Sequence, residues 1–418
     1  MPLNQIAPLP RLRLYTALSH YWNVFADLLT GKAYRGDDLE RLSGKLQTML
    51  GMQQVVPMPL ARVGIYATIK ALIRPGQKVI VSPYTIADVI NMVVCAGGVP
   101  VFADIERETC NIDAKSVEAL IGPDTGAVMV THFYGLMCDV ERIAEICAKH
   151  GVPLVEDAAQ AFGGRRNGRF AGTFGTAGIY SFGMYKNVNA FFGGAVATND
   201  PALAERIRAE IAAWPYQALG GYAKKVISAA IIDVVTHPLV FRIFTFWLFR
   251  WAFLNNVNAI NNKLKIDLDP KLSRELPADY KIRMSPLQAR LILEQLDGVD
   301  AKALLRRRAA KQWHDGLKDI PELIIPPLLE DGSHIYWYFP IQYDRRHDLV
   351  AYAMQHGRDI TESYHRNCAA LPCFSAFANP CPNAQKTADS LIYLPTYPRY
   401  SADEIAKTIG VIRAYFGK

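Results

Sequence analysis

Between residues 60 and 200 the chain repeats one pattern, a short apolar run followed by a longer stretch with one polar face. Lys78-Val-Ile-Val-Ser, Val99-Pro-Val-Phe-Ala-Asp, Ala127-Val-Met-Val-Thr-His, Pro153-Leu-Val-Glu-Asp and Gly178-Ile-Tyr-Ser-Phe read as strands, and Gly193-Gly-Ala-Val-Ala-Thr closes the series. Residues 85–96, 113–121 and 140–150 read as helices between the early strands. Strands alternating with helices at this spacing predict an α/β domain on a mostly parallel sheet. Such sheets bind ligands beyond the carboxyl ends of their strands. Asp104, His132, Glu156, Asp157 and Ser181 all fall at such ends.

The rest of the chain fits around that domain. With 418 residues, half of them apolar and 20% charged, there is material for a large core and for two or three domains. That composition excludes a disordered, collagenous or coiled-coil protein. Residues 286–318 read as one strongly periodic helix containing Arg306-Arg-Arg, three arginines expected on a solvated face. Beyond it, 334–343 and 391–394 read as strands and 402–416 as a terminal helix, a smaller α+β domain. The predicted division is a large domain over 1–285 and a small one over 286–418. The net charge of +7 is spread along the chain without a run of five Lys or Arg, so nucleic acid is not an expected partner. Seven cysteines without a CxxC pair, and no signal peptide ahead of them, predict reduced thiols in a cytoplasmic protein. The histidines show no metal-ligand spacing, and no metal is expected.

One segment stands apart. From 224 to 256 the chain is dominated by apolar and aromatic residues, with Phe241, Phe244, Phe246, Trp247, Phe249, Trp251 and Phe253 close together. Pro238–Leu254 is 17 residues long and carries Arg242 and Arg250, short for a span that needs about 20 apolar residues. Aromatics all round with two snorkelling arginines suit a helix lying in a membrane interface, peripheral on the inner face of the membrane. The competing expectation is a hairpin packed on the protein itself or on a second subunit.

The densest chemistry lies between 156 and 200. Asp157 ends an apolar strand, where a carboxylate is costly to bury without a cationic partner. Lys186 follows the next strand amid aromatic and small residues, where desolvation lowers an amine's pKa and makes it a nucleophile toward carbonyls. Ser181 and the backbone amides of nearby glycines could take a phosphate. An acid, a lysine and a phosphate cradle are what pyridoxal 5'-phosphate asks of a protein.

The block Glu156-Asp-Ala-Ala-Gln-Ala, the later Ser181-Phe, Lys186 five residues beyond that serine, and Gly193-Gly-Ala-Val-Ala-Thr-Asn-Asp resemble the DegT/DnrJ/StrS family of sugar aminotransferases. Tyr34-Arg-Gly-Asp-Asp-Leu-Glu, Pro83-Tyr-Thr, Val101-Phe-Ala-Asp, His132-Phe-Tyr-Gly, Arg283-Met and Leu394-Pro follow the family in order, over roughly 30–215 and 277–418. The resemblance implies the fold-type-I architecture and pyridoxal 5'-phosphate as cofactor. It implies Lys186 as the residue that carries the cofactor and shuttles a proton, and Asp157 as partner of the pyridine nitrogen. Gln160 would contact the ring and Ser181 the phosphate. The implied reaction moves an amino group from an amino acid, L-glutamate, to a keto sugar on a nucleotide or lipid carrier, in a homodimer. Dehydrating relatives carry His where Lys186 stands, so a dehydratase is the rival enzyme, and a catalytically retired scaffold at a membrane is the rival of another class.

The departures from the family are local. The phosphate turn reads Ala61-Arg62-Val63-Gly64 where Gly-Thr is usual, so Arg62 and Val63 would take its place. Ile86 stands where an aromatic often stacks on the ring, with Tyr84 a substitute near substrate. Lys281 replaces the Asn that reaches the phosphate across the dimer, and Phe162 stands where His is common. His132 is the histidine expected nearest substrate. The aromatic stretch, an insertion over about 216–276, has no counterpart of that length in the typical member.

Overall fold

The computed structural model describes residues 7–14, 16–257, 259 and 269–418. A seven-stranded sheet runs in the order Gln54–Met58, Gly194–Thr198, Ala177–Ser181, Leu154–Asp157, Thr125–Thr131, Lys78–Val81, Val99–Phe102. Gly194–Thr198 is antiparallel to both its neighbours and every other adjacent pair is parallel. Thr125–Thr131 is buried along its whole length, which is why its sequence is a continuous apolar run without alternation.

Alternate residues feed two separate cores. Val79, Val81, Ala127, Met129, Val155 and Ile179 join one apolar cluster. Ile80, Val128, Val130, Leu154 and Tyr180 join the other. Each strand side therefore has a fixed destination, and a one-residue offset carries a side chain to the opposite face.

Four sequence expectations are corrected. The stretch 85–96 does not begin as helix. Tyr84–Thr85 pairs antiparallel with Arg366–Asn367, Ile86 is extended, and the helix is Ala87–Cys95. That pairing draws the C-terminal chain to the carboxyl end of the sheet. The predicted helix over 286–318 is two helices, Pro286–Leu296 and Val299–Leu317, parted at Asp297-Gly298 where glycine weakens the helix. The first starts with a capping box, in which the Gln288 amide donates to Ser285 Oγ and the Ser285 amide to Gln288 Oε1. Of the three arginines, Arg306 is buried and donates to the Trp337 carbonyl at 2.8 Å, being one helical turn from Ala303 and Ala310 on the packed face. The strand expected over 334–343 is limited to Tyr338–Gln342, in an antiparallel sheet with Leu391–Pro395 and Thr361–Glu362.

The aromatic segment forms two helices, Leu219–Val235 and Pro238–Leu254, bent by 55° at their junction. Among the described residues no single helix is long and apolar enough to cross a membrane, though this bent pair passes on length and composition. One side is docked on the protein, with Tyr222, Phe241 and Phe246 buried and Arg242 paired with Glu404. The other side is exposed at Ile227, Ile231, Val234, Ile243, Phe244 and Trp251. Within the insertion expected over about 216–276, residues 258 and 260–268 lie outside the described residues.

Candidate active site

A cavity of about 320 Å³ opens at the carboxyl end of the sheet, lined by Asp157, Gln160, Ser181, Lys186 and Arg62 among others. The pleat decides which strand residues reach it. Thr131, Asp157 and Ser181 continue the side of Met129, Val155 and Ile179, and that side ends in the cavity. Asp157 is buried and its Oδ1 accepts from the Ala159 amide at 3.0 Å. Burial pushes its carboxyl above the usual range, while the Ala159 amide and Lys186 hold it down.

Lys186 sits in the turn after Ala177–Ser181, its amide donating to the Gly183 carbonyl at 3.0 Å. Its ammonium lies 4.3 Å from the centre of the Trp337 ring. That ring is fixed by an indole N–H to the Tyr185 carbonyl at 2.8 Å. The side chain opens onto the cavity yet is surrounded by protein, so desolvation pulls its pKa down to about 8, against Asp157 and with Arg62. An amine that loses its proton near pH 8 has a free base accessible near neutrality, as an attacking nucleophile requires.

Gln160 is oriented by the Tyr134 amide, which donates to its Oε1 at 2.7 Å and leaves its NH₂ group for the cavity. Ser181 pairs in register with Gly194. A Cβ on Gly194 would come 2.7 Å from the Ala61 amide nitrogen, so glycine lets this strand lie against the start of the Ala61–Leu72 helix. Arg62 has turned sideways, donating to Asp88 and, at 2.6 Å, to the Tyr280 hydroxyl.

The other predicted residues lie elsewhere. His132 follows Thr131 and points to the opposite face, where it is fully buried against Glu156 at 3.0 Å. Glu156 also accepts the amides of Gly172, Phe174 and Gly175, which makes the pair a buried brace outside the cavity lining. Tyr84 is buried behind the cavity wall, bonded to Tyr134 and Ser363. Val63 faces the core one position from Arg62, and Lys281 is exposed outside its own chain's cavity. Asp104 caps the Pro382–Ser390 helix through the amides of Asn383 and Ala384.

Sequence reasoning missed Trp337, Tyr364, His365 and Lys225, all in the cavity wall. Tyr364 and His365 are brought in by the strand pairing at Tyr84–Thr85, and Trp337 by contacts of its own segment with Gly135 and Tyr185, none of which carries a local signal. Burial beside Lys186 holds His365 far down, to about 3, so its ring is neutral. Thr131 was legible from strand alternation.

A lysine with a lowered pKa, a buried carboxylate on the neighbouring strand and a glycine-lined strand against a helix start fit pyridoxal 5'-phosphate as a donor set. Fold and site together fit an enzyme of the fold-type-I, pyridoxal-phosphate-dependent class. The chain belongs to the DegT/DnrJ/EryC1/StrS aminotransferase family, which matches residues 22–220 and 261–413 and leaves out the exposed hairpin between them. It is similar to the spore coat polysaccharide biosynthesis protein SpsC of Bacillus subtilis (strain 168), 28% identical over 402 residues that cover 92% of this chain and 91% of that one. Its fold is similar to that of S. venezuelae DesV in complex with a ketimine intermediate, at TM-score 0.75 and 22% identity, covering 99% of both chains. It is equally similar in fold to the E. coli GDP-4-keto-6-deoxy-D-mannose-3-dehydratase with bound hydrated PLP, at TM-score 0.75 and 18% identity over 97% of this chain and 100% of that one.

Proposed function

We propose that this enzyme transfers the amino group of L-glutamate to a keto sugar held on a nucleotide or lipid carrier, in amino-sugar or surface-polysaccharide synthesis. The observation that carries the reading is Lys186, with its pKa lowered to about 8, in one cavity with the buried Asp157. Pyridoxal 5'-phosphate bound there supplies an electrophilic carbon that takes up and releases nitrogen and a ring that spreads the electrons freed at the substrate carbon. Lys186 would hold the cofactor, then carry a proton between the substrate carbon that bears the nitrogen and the cofactor carbon bonded to that same nitrogen. Asp157 would keep the ring nitrogen protonated, and Gln160 and Ser181 would fix ring and phosphate. The lysine also favours transamination over the dehydratase alternative.

L-Glutamate added without an acceptor should give a burst of 2-oxoglutarate close to the enzyme concentration, absent from Lys186→Ala. A wild-type enzyme that releases none, with cofactor bound, would refute the glutamate donor.

We also infer a homodimer on the cytoplasmic side of a membrane, in which Lys281 of each subunit reaches toward the other's cavity and the exposed hairpin rests on an anionic bilayer. Charge supports the lipid partner, since Lys224 is exposed on the hairpin and the one acidic residue of 219–257, Asp233, is engaged within the protein. Asp233 is engaged by the Tyr21 hydroxyl at 2.7 Å, which ties the Leu18–Thr30 helix alongside. That helix also exposes Leu18, Trp22, Phe25 and Leu29. The protein should sediment with vesicles containing phosphatidylglycerol and less with neutral ones. Absence of sedimentation with either would remove the membrane from the account.

A further inference from the structure

Lys225 belongs to the aromatic hairpin, yet its side chain lines the catalytic cavity. Its ammonium stands 4.5 Å from the centre of the Phe192 ring, and Phe192 leads directly into Gly193-Gly194, the strand start that lies against Ala61. Phe192 is also held by Tyr222 of the same helix, ring centres 4.9 Å apart. Lys225 is half-buried, and among the described residues no carboxylate is in ion-pair contact with it. Burial and the nearby Arg62 lower its pKa, with Asp279 opposing from longer range.

The charge count in the cavity wall is unequal. Arg62, Lys186 and Lys225 face one carboxylate, Asp157, with His365 neutral. Asp88 answers part of Arg62 from behind. Cations kept partly out of water without partners are costly unless a ligand supplies the counter-charge. Arg62, spent on Asp88 and Tyr280, is the weaker phosphate ligand of the pair, and Lys225 has no such competing bond.

We propose that Lys225, supplied by the hairpin of the same chain, is a binding residue for a phosphate group in the cavity, beside Ser181 and the first residues of the Ala61–Leu72 helix. The hairpin thereby builds one wall of the site as well as displaying an apolar face outward. The proposal rests on the cofactor reading above for the identity of its phosphate, which is that of the cofactor or of the acceptor's carrier.

The test uses full-length apoprotein with three probes, pyridoxal 5'-phosphate, pyridoxal and inorganic phosphate, read by quenching of protein fluorescence and by thermal shift. If Lys225 holds the cofactor's phosphate, Lys225→Gln weakens pyridoxal phosphate binding about tenfold or more and leaves pyridoxal unchanged, and Lys225→Arg restores part of the loss. If the phosphate belongs to the acceptor, both cofactor forms bind normally but Lys225→Gln abolishes the thermal shift by inorganic phosphate seen in wild type. Equal weakening of pyridoxal and its phosphate, or no change with any probe, overturns the proposal. A wild-type protein that binds inorganic phosphate but neither pyridoxal form would instead refute the cofactor reading and leave the role of Lys225 to the phosphate arm.

Discussion

Glu156 and Asp157 are adjacent carboxylates separated by one pleat, and the separation assigns them different work. Asp157 ends in the cavity with Lys186, while Glu156 braces His132 and three backbone amides on the far side. Asp157 and Lys186 were legible from their strand-end positions and their neighbours. The strand-end position of His132 suggests a place near substrate, whereas strand alternation turns its ring to the face opposite the cavity. His132→Gln should therefore lower stability by about 1–3 kcal/mol, the cost of disturbing a buried hydrogen-bonded group, with KM values unchanged. Raised KM at wild-type stability would return His132 to the substrate. Burial works against charge on His132, but Cys138 and Glu156 raise its pKa above the ordinary 6.5. Its stabilising contribution is thus full below pH 6.5 and declines as pH climbs through the raised folded value. For Lys186 the free base is the reactive form. Capture of pyridoxal phosphate by the apoprotein, followed by stopped-flow absorbance, should speed up through pH about 8 and then level off. A rise continuing toward about 10.4 would mean an ordinary lysine.

At the scale of elements, the strand Gly194–Thr198 and the helix Ala61–Leu72 meet so closely that a side chain on Gly194 has no room. Gly194→Ala should cost about 1–3 kcal/mol in thermal or denaturant unfolding and weaken cofactor binding with it. Unchanged stability would show that the strand and helix can separate without penalty. The sequence pattern placed the six strands that 78–198 contributes to the large sheet, because buried sheet strands, five of them parallel here, are continuous apolar runs. It did not place the break at Asp297-Gly298, since one glycine interrupts a helix without erasing its periodicity. Nor did it place the pairing of Tyr84–Thr85 with Arg366–Asn367, a contact between segments some 280 residues apart. Trp337, Tyr364 and His365 reach the cavity through such long-range contacts and carry no local motif.

For the whole molecule, the hairpin between the two family-matched stretches has a buried side, an exposed apolar side and one lysine in the cavity. Replacing Phe244 and Trp251, 66% and 53% exposed, by serine should abolish sedimentation with anionic vesicles while cofactor absorbance stays as in wild type. Retained sedimentation would move the contact to another surface, and a change from dimer to monomer on sizing would assign this face to a second copy. The account as a whole turns on whether Lys186 carries pyridoxal phosphate and hands nitrogen onward. The most direct measurement is the visible absorbance of the purified protein before and after L-glutamate, beside Lys186→Ala. The account predicts a visible band of lysine-bound cofactor that bleaches to the pyridoxamine form with glutamate and is missing from the variant. A colourless protein that takes up no added cofactor, with the variant indistinguishable from it, would contradict the account and leave a scaffold of aminotransferase fold.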